Sequence, residues 1–236
     1  MTITRRDLLA GASTIVVATA FAANAVAADA TAKSLPEIKP KPLSFDPKKL
    51  HGLSERLIVS HWENNYCGAV KNLNRVRAEL QGVTKDTPGF VVGGLKEREL
   101  AFNNSRTLHE AYFDCLGAPA KPAGAIARAL GESFGDIERF ETGFRATAMS
   151  LAGGSGWVIL ALDIGSGELG TFWSGNHTQV PSSALPVLVL DMYEHSYHID
   201  FGAAAQRYLD AWFSNIAWEE VNKRYERAMR CYVAGH

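Results

Sequence analysis

From Leu53 to about Leu80, apolar residues recur at helical spacing through Leu57, Val70, Leu73, Val76 and Leu80, and Ser54 stands ahead of them as an N-cap. The pattern predicts one long helix. Thr84 to Gly94 is rich in Gly and Pro and reads as a loop, after which a second helix is predicted from about Lys96 to Leu116, stopped by Gly117 and Pro119. Two such neighbours fold back on each other as an antiparallel hairpin. Ala/Leu-rich helices follow at 123–132 and 136–151, parted by Phe134-Gly135. The period then changes. Gly156–Leu162, Leu169–Trp173 and Val187–Leu190 are short apolar runs bounded by Gly, Asn and Pro turns, as strands are, and helical spacing returns from about Gly202 to the C-terminus.

This succession predicts an α+β protein: an N-terminal antiparallel helical hairpin, residues 48–118, followed by a domain, residues 119–236, in which a small antiparallel three-stranded sheet is flanked by helices. Residues 28–47 are polar, carry Pro36, Pro40, Pro42 and Pro47, and read as an extended arm.

The chain has 236 residues, 47% hydrophobic and 21% charged, enough for a sizeable core. Its net charge of −1, with no basic cluster beyond pairs such as Lys48-Lys49, argues against a nucleic-acid partner. Thr4-Arg5-Arg6-Asp7-Leu8-Leu9 is a twin-arginine pattern followed by a mildly apolar stretch that closes on Ala25-Val26-Ala27. Residues 1–27 are therefore expected to be a twin-arginine signal peptide, cleaved after Ala27 and directing the chain to the periplasm. The stretch is short and broken by Gly11, Ser13 and Asn24, so no membrane association is expected after cleavage. Cys67, Cys115 and Cys231 have no C-x-x-C spacing, and Cys67 and Cys115 fall in apolar helical patterns, as buried free thiols do.

Candidate chemistry concentrates in Asp191-Met192-Tyr193-Glu194-His195, where the run Pro186–Leu190 delivers an acid from a strand end and an imidazole follows four residues later. Spacing alone fits a surface pair as well as a metal site.

The segment, with Ser196-Tyr197 behind it, resembles the C-terminal signature of the iron/manganese superoxide dismutases, Asp-x-Trp-Glu-His-x-Tyr. The resemblance runs from Leu43-Ser44-Phe45-Asp46 to about Arg230 through Leu73-Asn74, Phe102-Asn103-Asn104, His109–Phe113 and Gly154-Ser155-Gly156-Trp157. It implies one Fe or Mn ion per chain, bound by His61, His109, Asp191 and His195, a donor set that suits either metal and that zinc also accepts. It implies dismutation of superoxide to oxygen and hydrogen peroxide. It also implies His177, after Asn176, as a donor toward the metal, and a homodimer in which Glu194 meets the partner's equivalent of His195.

The chain departs from the family pattern at the substrate gateway. Asn65 and Ala69, four and eight residues after His61, stand where the family has His and Tyr, so the usual proton-relay hydroxyl is missing. His198 replaces the family's second Tyr and faces Asn65 across the expected dimer, as an acid/base group or as a polar interface residue. Phe113 and Tyr193 stand in place of Trp, and Ala205, with Arg207 close by, in place of an Arg. Two other readings are open: a metal-binding protein with lost or poor dismutase activity, and a peroxidase-like redox activity at the same site.

Overall fold

The computed structural model describes residues 35–235; the twin-arginine segment and the expected cleavage point lie outside them. Helix α1, Glu55–Ser60, is capped by Ser54, whose hydroxyl accepts the Leu57 N–H at 3.0 Å, while its own N–H and O–H each donate to Asp200 at 2.7 Å. A cap of this kind stabilises by about 1 kcal/mol. The predicted single helix is interrupted. His61–Tyr66 form a π-helical segment in which the Cys67 N–H reaches back to the Trp62 carbonyl, and α2 resumes as Cys67–Gln81. The wider turn brings Tyr66 inward, 1% exposed, and leaves Asn65 half-buried. An inserted residue of this kind does not disturb an apolar pattern whose nearest marks are Leu57 and Val70.

Helix α3, Gly89–Asp114, starts well before the predicted Lys96. Pro88, in an extended conformation, begins it, and Gly93 and Gly94 lie on exposed turns where their entropic cost is offset by a helix of 26 residues packed on α2. Helices α4, Gly124–Phe134, and α5, Ile137–Met149, are separated by Gly135 at φ +94°, and the Asp136 carboxylate caps α5 by accepting the Arg139 N–H at 2.7 Å.

The sheet is three-stranded and antiparallel, β1 Trp157–Asp163, β2 Leu169–Ser174 and β3 Ala184–Asp191, in the order β2-β1-β3. Strand β3 begins three residues before the predicted Val187. Central β1 is buried from Trp157 to Leu162, which explains its unbroken apolar run. Trp157 pairs with Ser174 on one side and with Asp191 on the other, so the register sets the last residue of β3 beside this indole. Gly156, at φ +145°, passes so close to β2 that a Cβ would stand 2.3 Å from the Ser174 carbonyl oxygen. Helices α6 His198–Phe201, α7 Ala205–Phe213 and α8 Trp218–Ala234 complete the chain.

One continuous core joins Leu57, Leu108 and Tyr112 of the hairpin to β1, β3, Leu209 and Trp212. No described helix is long and apolar enough to cross a membrane. All three cysteines are free: Cys115 is buried, Cys231 is exposed, and Cys67 is half-buried rather than buried as its pattern predicts.

Candidate metal centre

Four side chains from four segments converge where the hairpin meets the sheet. The π-segment supplies His61, α3 supplies His109, the end of β3 supplies Asp191, and the turn that follows supplies His195. One ligating atom from each lies within 4.8 Å of all the others. Asp191 Oδ2 is the focus, 3.1 Å from His61 Nε2, 3.2 Å from His195 Nε2 and 3.6 Å from His109 Nε2. His61 and Asp191 are fully buried and His109 is 1% exposed, whereas 27% of the His195 side chain reaches the surface.

Burial is the largest influence on both inner imidazoles. It holds His61 below its ordinary value and His109 down at about 3, so both rings are neutral near pH 7. Burial pushes the Asp191 carboxyl up, but attraction and hydrogen bonding from His195 and His61 outweigh it and hold the group well below the usual carboxylate range. Neutral nitrogens around one buried carboxylate are the protonation state that a hard or borderline cation needs.

The donor set fits such an ion on a further count. His109 Nε2 is buried, faces the focus and has no hydrogen-bond partner, while its Nδ1 donates to the Ser105 carbonyl at 2.7 Å and so leaves Nε2 as a free donor of electrons. A buried lone pair with no proton opposite it is costly unless a cation takes it.

Comparison with known proteins bears on the same residues. Residues 122–224 match the model of the iron/manganese superoxide dismutases, C-terminal domain. The iron superoxide dismutase of Cupriavidus metallidurans is 47% identical over 191 residues, covering 80% of this chain and 97% of that protein. The chain belongs to the iron/manganese superoxide dismutase family. The iron enzyme of Aquifex pyrophilus is 33% identical, covering 80% of this chain and 91% of its own, and manganese superoxide dismutase 2 of Haloferax volcanii is 28% identical, covering 83% and 98%. Membership fixes the reaction class, an oxidoreductase acting on superoxide with one Fe or Mn ion.

Around the dismutase-type centre the ligands are braced unequally. The Asp191 Oδ1 accepts the Tyr193 N–H at 2.8 Å, and its backbone carbonyl accepts hydroxyls from Ser196 and Tyr208, both at 2.9 Å. His61 Nδ1, by contrast, is buried with no hydrogen-bond partner. Apolar walls close the rest: Tyr112 and Phe113 pack on His61, each at 5.0 Å between ring centroids, and Trp157 stands edge-on to His109 at 5.0 Å.

His177 lies beside this centre. The Trp157 indole N–H donates to His177 Nδ1 at 3.0 Å, which places the proton of the neutral ring on Nε2. Burial lowers the His177 pKa against the upward pull of Asp191, favouring that neutral form. The loop is held from α3 by Asn104, whose amide donates to the His177 carbonyl at 2.7 Å. Tyr193 stacks between His177 at 4.9 Å and His195 at 5.4 Å.

At the gateway, Ala69 is buried, Asn65 is half-buried, and His198 and Glu194 are exposed. Ala205 is buried in the core, and Arg207 is exposed. Ala69 carries no hydroxyl at the position of the family's relay Tyr, but the first helix brings in an aromatic ring that was not expected. Tyr66, turned inward by the π-segment, places its ring 6.3 Å from that of His109 and 6.2 Å from that of Phe113. The signal for it was absent from regular helical spacing, which points to Asn65. Tyr112 and Tyr208, on the inner side of the ligands, were also missed, although both fall on apolar helical positions.

Proposed function

We propose that the mature chain is a periplasmic, homodimeric superoxide dismutase, exported by the twin-arginine route, whose metal is held by His61, His109, Asp191 and His195. The observation that carries the reading is the convergence of these four side chains within 4.8 Å, one of them with a buried, unpartnered nitrogen aimed at the common point. When bound, the ion supplies a one-electron couple that superoxide can both reduce and oxidise. The relative at 47% identity is named for iron, which favours iron over manganese.

The residues then divide the work. Asp191 brings a negative charge that favours the trivalent state, and the neutral His61 and His109 add none. His177 holds its Nε2 proton beside the centre, a hydrogen-bond donor for the peroxide that forms, and Tyr193 keeps that ring in plane by stacking. Phe113, Tyr112 and Trp157 exclude water from the inner side. Glu194 and His198 are exposed beside His195, next to Ile199 at 42% exposure, an arrangement suited to a partner subunit that takes Glu194 to its own His195 and sets His198 opposite Asn65.

The test is metal content and superoxide dismutation per bound metal, measured on one sample purified from the exported fraction, with its mass in solution. The expected result is about one Fe or Mn per chain, fast turnover and a dimer. Full occupancy with negligible turnover, or a protein without these metals, would overturn the reading.

A further inference from the structure

Tyr66 has no part in the chemistry above, yet it is among the most buried large side chains, and its ring lies 6.3 Å from that of His109. We propose that Tyr66, held by Glu110, is a positioning residue that fixes the spacing of His61 and His109, with the arm at Lys41 as the third point of a latch. The proposal rests on the reading that these histidines hold the metal.

The connectivity carries it. Tyr66 closes the π-segment that His61 opens, and Glu110 is the neighbour of His109 on α3. The Tyr66 hydroxyl donates to Glu110 Oε1 at 3.1 Å and accepts the Lys41 N–H at 2.8 Å, so one oxygen ties together both ligand-bearing segments and the arm. Glu110 is itself held. Arg106 Nη1 donates to its two oxygens at 3.1 and 3.2 Å, and the Lys41 ammonium lies 3.5 Å from Oε2. The neighbouring Trp62 indole donates to the Lys41 carbonyl at 2.9 Å, closing the circuit on the π-segment.

A second observation shows why His61 needs such a device. His109 is oriented by its own Nδ1 bond to Ser105, whereas His61 Nδ1 has no hydrogen-bond partner. Apart from the contact of its Nε2 with Asp191 at 3.1 Å, the direction of the His61 ring is therefore set by its packing and by the backbone of the π turn. Tyr66 is the residue that pins the far end of that turn to α3.

Metal dissociation from the iron-loaded dimer into excess chelator tests this, alongside thermal unfolding of the metal-free protein and proteolysis of the arm. Tyr66→Phe keeps the ring and loses the oxygen; the metal is expected to leave about tenfold faster, with unfolding of the metal-free protein little changed. Glu110→Gln retains an oxygen for the Tyr66 hydroxyl and should stay within about twofold of the unmodified protein, whereas Glu110→Leu should match Tyr66→Phe. These two variants decide the matter if Tyr66→Phe fails to fold. Asn74→Ala releases the arm elsewhere, where the Asn74 side chain bonds the Ile38 N–H and carbonyl at 3.0 and 2.8 Å, and should expose the arm to protease without hastening metal loss. The latch is overturned if Tyr66→Phe and Glu110→Leu lose metal at the unmodified rate, or if Asn74→Ala speeds the loss equally. A wild-type protein that takes up neither Fe nor Mn would instead overturn the metal reading and the latch together.

Discussion

The two halves of the metal centre are built on different principles. The sheet half supplies Asp191 and His195 from one short stretch of chain, with the aspartate at the end of a strand paired to a fully buried neighbour and three further hydrogen bonds around its carboxylate and carbonyl. The hairpin half supplies His61 and His109 from two helices, one of which departs from α-geometry at the ligand itself. In the sheet, the backbone ladder fixes the ligand, and side chains only trim it. In the hairpin, side chains such as Tyr66 and Glu110 fix the backbone, and the ligand follows. Strength is thus distributed along the strand on one side and concentrated in a few polar contacts on the other.

That contrast is broken most directly at the focus of the site. Asp191→Ala removes the charge common to all three imidazoles, and the purified variant is expected to hold no stoichiometric metal and to show no dismutation, by metal analysis and a superoxide assay. His61→Ala leaves three donors and the charge, so it should retain partial metal; equal retention by the two variants would show the halves to be equivalent. Next in size is Gly156→Ala, which forces a Cβ against the Ser174 carbonyl in a conformation that L residues avoid. It should cost about 3 kcal/mol or more in urea unfolding. A small loss there would mean that the sheet half yields as easily as the hairpin.

The mildest test is pH. In the metal-free protein His61 and His109 sit below their ordinary value of 6.5, His109 at about 3, and Asp191 also sits below its own. Each group binds a proton more readily in the unfolded chain, so all three act in the same direction: stability is full above 6.5, where the unfolded histidines are neutral too, and falls as pH drops below it. The fall from His109 is complete near 3, where its folded form takes the proton. Urea midpoints should decrease from about pH 8 to about pH 5, and bound metal should raise the midpoint at each pH while leaving the decrease in place, because the same nitrogens stay unprotonated in the folded chain. A midpoint independent of pH would contradict the buried, neutral hairpin ligands.

What was legible in the sequence follows the same division. The change from helical spacing to short apolar runs at Gly156 marks the sheet, because β1 is buried on both faces and β3 has to be apolar up to Asp191. The four ligands emerge from the resemblance to the family, and the geometry brings all four together. The π-segment was not legible, since one inserted residue between Leu57 and Val70 alters which side chain faces inward without altering which positions are apolar. The early start of α3 was hidden by Gly93 and Gly94, which read locally as breakers and are tolerated because the helix is long and packed. Trp157 binding His177 depends on the loop between β2 and β3, whose path no local pattern encodes.

The strand order has a consequence for how the protein is kept folded. Strands β1 and β2 form a local hairpin and β3 pairs with the far side of β1, so the strand that ends in Asp191 lies at an edge of the sheet. An ion held by all four side chains requires both the hairpin and the end of β3 to be in place. The ion then acts as a bolt on the last strand: to peel β3 away the chain must break coordination and strand pairing together, which lengthens the lifetime of the folded state.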